Sequence, residues 1–139
     1  MRLLSFVAAL TIAAFPVSAM AASGFQMPSG NVFCMLEESD GSQPDDVRCD
    51  IMQMTNRRPR PPADCELDWG DAFVISAGSP RGERMCHGDT VRDPSMPVLP
   101  YGSVWRGAGI TCMSAPVGVT CQNADGHGFS LARAQQRVF

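Results

Sequence analysis

Two histidines, His87 and His127, are the only side chains in the sequence that ordinarily titrate near neutral pH. Each adjoins glycine and has an aspartate close by, Asp89 and Asp125. An imidazole so placed is the natural general base of a hydrolase, but nucleophilic catalysis also needs a hydroxyl or thiol set against it. Ser103, Ser114 and Ser130 are available, and none lies in a G-x-S-x-G elbow. The six cysteines, Cys34, Cys49, Cys65, Cys86, Cys112 and Cys121, form no C-x-x-C and read as three disulfides, not as a metal site or redox pair. No residue is therefore given a catalytic role, and a small secreted hydrolase using His127 or His87 stands as the alternative reading.

Metal chemistry is no better supplied. Met52 and Met54 share a face if extended and with His87 would suit copper(I), yet methionine more often fills gaps in a small β core. Asp64, Glu66 and Asp68, with Asp71 just beyond, also share a face, but they lack the spacing and glycine of a calcium loop and read as a solvated acidic edge. No metal and no cofactor is expected. Binding is better served: Tyr101, Trp105 and Arg106 sit in a glycine-rich connection and, with His127, are the candidate ligand-binding residues, suited to a protein hot spot or to stacking on a sugar ring.

The elements that must position these groups begin after an export signal. Met1-Arg2 is a minimal positive start, Leu3 to Phe15 is apolar but for Ser5 and Thr11, Pro16 ends the run, and small residues follow at Ser18, Ala19, Ala21 and Ala22. Residues 1–21 are expected to be cleaved as a signal peptide, leaving 22–139 as one disulfide-stapled domain, exported to the periplasm or beyond and not inserted in the membrane. The run is shorter than the roughly 20 residues that a spanning helix requires. The formal net charge is −3, all basic residues are arginine, and nothing suggests a nucleic-acid partner. The one basic run, Arg57-Arg58-Pro59-Arg60-Pro61-Pro62, reads as a solvated extended connector.

Strand signals dominate. Asn31–Leu36 is apolar, the polar stretch from Glu37 to Asp46 reads as a loop, and Val47–Met52 alternates apolar and polar as a half-buried strand does. The plan recurs at Gly109–Met113 and Val117–Gln122, where Cys112 and Cys121 face each other on adjacent strands. Pairing 112 with 121 is the firmest expectation, 34 with 49 follows by the same logic, and 65 with 86 by elimination, although six cysteines allow 15 connectivities. Asp71–Ser76 is a further strand, followed by a turn at Ala77–Gly82. Helix is confined to a short stretch over 132–138. The expected fold is mainly β, a small disulfide-stapled β-sandwich or open barrel of antiparallel hairpins with that short C-terminal helix.

Several blocks resemble, in the same order, those of a family of unknown function found in small secreted bacterial proteins: Phe25–Val32 leading to Cys34, Val47–Ile51, Pro62–Asp68, Cys86–Thr90, Leu99–Gly102, Gly118–Asn123 and Gly126–Phe129. The resemblance implies secretion, one domain and disulfides, and brings no activity. The leading functional expectation is a secreted or periplasmic binding module whose partner is an envelope or extracellular protein or glycan.

Overall fold

The computed structural model describes residues 23–139, and the expected signal peptide lies outside the described residues. The first half of the chain makes a five-stranded antiparallel sheet in simple order: β1 (Gly24–Gln26), β2 (Val32–Glu37), β3 (Asp46–Ile51), β4 (Ala72–Ser76) and β5 (Glu83–Arg84). The second half repeats the plan with β6 (Val104–Gly107), β7 (Ile110–Ala115), β8 (Gly118–Asn123), β9 (Gly128–Leu131) and β10 (Gln136–Val138). The protein is mainly β, and the two sheets pack as a sandwich without closing into a barrel.

The repetition extends to single residues. Across the first sheet one inward row runs Phe25, Cys34, Cys49, Phe73, and across the second the matching row runs Trp105, Cys112, Cys121, Phe129. The rows meet in the core, with the Phe25 and Trp105 rings at 5.8 Å, the Phe73 and Phe129 rings at 5.9 Å, and Cys49 Sγ at 3.8 Å from Cys121 Sγ. Within each sheet the two cysteines stand directly opposite on adjacent strands and are bonded, Cys34 to Cys49 and Cys112 to Cys121. Cys65–Cys86 ties the segment before β4 to the one after β5, next to an isolated antiparallel bridge between Asp68 and His87. All three expected pairings are present.

Two expectations need correction. The stretch 132–138 is not helical: Ala132 and Gln135 exchange backbone hydrogen bonds across a tight turn, and Gln136–Val138 pairs as β10 with β9. A helix of two turns is marginal without partners, whereas pairing supplies the ladder and covers the edge of β9. Nor is β3 half-exposed: Arg48 and Asp50, on its outer face, are both 2 % exposed. Their cover is a strap, residues 87–98, that crosses the outside of the first sheet on its way to the second. Val91 N–H donates to Asp50 Oδ2 at 3.0 Å, Arg92 lies over the Phe33 ring, and Gln26 donates to the carbonyls of Pro94 and Met96. At its end, Val98 bridges to Gln26 along the edge of β1.

Backbone hydrogen bonds also join the residue after β10 to the starts of β5 and β9. The Phe139 carbonyl accepts from the N–H groups of Gly82 and Gly128, at 2.9 and 2.7 Å. A Cβ on Gly82 would lie 1.9 Å from the Gly128 carbonyl oxygen, so only glycine permits this approach.

Candidate functional site

Two concave regions adjoin the first sheet, and they differ in chemistry. The first, about 310 Å³, is lined by ionisable side chains and lies where the strap begins, between Asp50, Asp68, Asp71, His87 and Asp89. His87 Nε2 is 2.8 Å from Asp71 Oδ1, and its Nδ1 meets the backbone carbonyl of Asp89. Burial by itself would push the imidazole pKa down, but the hydrogen bonds to Asp71 and to the Asp89 carbonyl and the charges of Asp71 and Asp50 outweigh it and hold the pKa above the ordinary value. For Asp71 burial pulls upward, while His87 and Arg58, whose Nη1 is 2.9 Å from Asp71 Oδ2, bring the carboxyl below its usual range. Beside this pair, buried Arg48 donates through Nε and Nη2 to both oxygens of Asp50, at 2.9 and 3.1 Å, and through Nη1 to Asp89 Oδ1 at 3.1 Å.

This arrangement is a fastening. Both nitrogens of His87 are occupied and the side chain is buried, so no lone pair faces a substrate, and the carboxylates of Asp50 and Asp71 are spent on cations of the chain itself. Of the residues weighed for metals, Met52 and Asp68 line this hollow, Met54 packs against the core, and Asp64 and Glu66 are exposed.

The second region is an apolar cleft of about 300 Å³ at the end of the sandwich where β2 begins. Its floor is the core itself: Val32, Ile51 and Leu131 line it although none is more than 3 % exposed. Its rim is made of four connections, the β1–β2 turn at Ser29, the Pro116–Val117 turn between β7 and β8, the loop at Tyr101, and the tip of the β9–β10 turn at Arg133 and Ala134. Val117 is 80 % exposed and Tyr101 44 %, both large for apolar rings or chains on a turn. Among the described residues Arg133 is the one charged side chain lining the cleft, and its Nη1 donates to Gln53 Oε1 at 2.8 Å.

The sequence-derived candidates are thus dispersed. Tyr101 is on the cleft rim. Trp105 is 8 % exposed, its indole turned inward against Phe25 and lying over Gly107, where an added Cβ would come within 2.5 Å of the ring. Arg106, the next residue of β6, points to solvent on the outer face. His127 belongs to the β8–β9 turn that Asn123 organises by accepting from the N–H groups of Asp125 and His127. That turn follows the Ile110–Asn123 end of the second sheet, whereas Gly102 bonds Ser114 at the other end, so His127 and Tyr101 do not meet. Val117 and Arg133 were not singled out by sequence; an apolar residue exposed in a two-residue turn after proline was the available signal.

The family of unknown function DUF6636 matches residues 2–139. The chain belongs to this family. No curated protein and no solved structure matches it, so for this DUF6636 member the geometry has to carry the functional argument. Three disulfides suggest an oxidising, exported environment.

Proposed function

We propose that this protein is a small binding module of the periplasm or extracellular space that takes the apolar part of an envelope or extracellular ligand into the end cleft. One observation carries the reading: fully buried core residues form the floor of an open hollow, so a ligand there would extend the core instead of covering ordinary surface. Three staples hold the frame, and the rim consists of turns, an economical way to build a site on a rigid scaffold. Arg133 at the mouth favours a ligand that pairs its apolar end with a negative group. With Trp105 inside the core, Tyr101 is left as the exposed ring of the aromatic pair, which favours an acyl chain or apolar side chain over stacking on a sugar.

Sodium decanoate and 1-decanol serve as probes in isothermal titration. Decanoate is expected to bind, Val117→Asp to weaken it about tenfold by placing charge on the apolar rim, and Arg133→Gln to weaken decanoate but not decanol. Absence of binding by both probes, or affinities indifferent to Val117→Asp, would contradict the proposal. The hydrolase alternative is disfavoured at His87 by its two occupied nitrogens.

A further inference from the structure

Two staples that lie in different sheets are close enough to act on each other. Cys49 Sγ and Cys121 Sγ are 3.8 Å apart, and the sulfurs of Cys34, Cys49 and Cys121 all fall within 4.8 Å of one another. The contact follows from the fold: both disulfides occupy the same position in matching inward rows, flanked by the ring pairs Phe25–Trp105 and Phe73–Phe129. We infer that Cys34, Cys49, Cys112 and Cys121 form one thiol–disulfide exchange site, in which breaking either staple passes the break to the other and leaves a Cys49–Cys121 bond joining the two sheets.

The chemistry needs only a thiolate. When a small thiol of the glutathione or dithiol class reduces Cys34–Cys49, it is itself oxidised and Cys34 and Cys49 take up the protons. Cys49, as thiolate, then attacks Cys121 Sγ. The S49–S121 bond forms, the S121–S112 bond breaks, and Cys112 leaves with the electron pair and takes up the proton that Cys49 gave up. This second step moves no net electrons. It is intramolecular, between groups already in contact, and gains the large effective concentration of positioned reactants. An inter-sheet bond in the centre of a sandwich is compatible with such folds. The four cysteines are at most 1 % exposed, and because the attacking species is the thiolate the exchange accelerates as pH rises. Cys65–Cys86 lies apart: the neighbours of Cys65 Sγ are the carbonyls of Leu67 and Asp68, with no second disulfide, and it supplies an internal control.

The test requires no reductant. Cys34→Ser leaves Cys49 as the single thiol beside an intact Cys112–Cys121. After incubation at pH 8, acid quenching, alkylation of the denatured chain and peptide mapping, the label is expected on Cys112, with Cys49 linked to Cys121. A label remaining on Cys49 with Cys112–Cys121 intact would overturn the inference. Cys112→Ser runs the counterpart reaction, Cys121 attacking Cys49 and expelling Cys34, and should place the label on Cys34; in Cys65→Ser it should stay on Cys86, and migration there would reduce the effect to unspecific scrambling and equally overturn it. Should the substituted chains fail to fold, the wild-type protein treated with limiting dithiothreitol gives the same readout, a Cys49–Cys121 peptide for the proposal and only native pairs or free thiols against it.

Discussion

His87 shows how a side chain that looks catalytic in sequence can be consumed by structure. Its imidazole links Asp71 at the start of β4 to the Asp89 carbonyl in the strap, and its pKa is held above the ordinary value. A raised pKa means that the stabilisation is complete below the unfolded value, about 6.5, and is lost as pH rises through the folded value. Asp71 works in the opposite sense: its lowered pKa stabilises above 3.8 and the contribution is lost as pH falls through the folded value. Thermal melts should therefore show highest stability in the mildly acidic range between these limits and a decline from pH 6 to pH 9 that flattens in His87→Gln. An unchanged decline in the variant would assign the loss to other groups. At the same scale, Gly82→Ala should cost several kcal/mol, about 3 or more in denaturant unfolding, because its Cβ meets the Gly128 carbonyl at 1.9 Å. A loss under about 0.5 kcal/mol would show that the two backbones separate freely there.

At the scale of elements, the strap and the staples solve different problems. A strand as hydrophobic as β2, with Phe33 on its outer face, needs cover, and the strap provides it with Arg92 over the Phe33 ring and with Val91 fastened to Asp50 of the neighbouring β3. Asp50→Ala takes from buried Arg48 the carboxylate that meets its Nε and Nη2, leaving Asp89 and Glu37 as its ionic partners, and strips the Val91 N–H of its acceptor, so it should lower stability by about 3 kcal/mol, whereas the joint change Arg48→Met with Asp50→Leu, which also removes the buried cation, should cost less. Urea titrations of the two variants decide this, and a joint variant no more stable than Asp50→Ala would contradict it. The hairpin staples act through the unfolded chain: Cys34–Cys49 closes a separation of 15 residues, for which loss of the bond costs about 3 kcal/mol.

Taken as a whole, the molecule was readable from sequence where neighbours in the chain become neighbours in space. Cys112 and Cys121 stand on strands joined by a two-residue turn, and the alternation around them fixed both pairing and face. The strap was not readable, because a segment with Asp93, Pro94 and Pro97 carries no strand period, and its hydrogen bonds with the side chains of Asp50 and Gln26 join residues 41, 68 and 70 apart in the chain. Consequently the polar positions of β3 looked solvent-facing when they are fastened from outside. Trp105 was misleading for a related reason: glycines at 102 and 107 suggested an open connection, whereas Gly107 makes room for the indole to fold inward. The helix over 132–138 failed since local propensity cannot compete with an unpaired sheet edge. The end cleft arises from four connections that only the packed sandwich brings together.

The most direct measurement of the binding account is a titration of ¹⁵N-labelled protein with sodium decanoate, followed by amide chemical shifts. Perturbations concentrated at Ser29–Val32, Tyr101, Val117–Gly118 and Leu131–Ala134 are the predicted result. Perturbations centred instead on Asp68–Asp71 and His87–Thr90, or none at saturating probe, would contradict it.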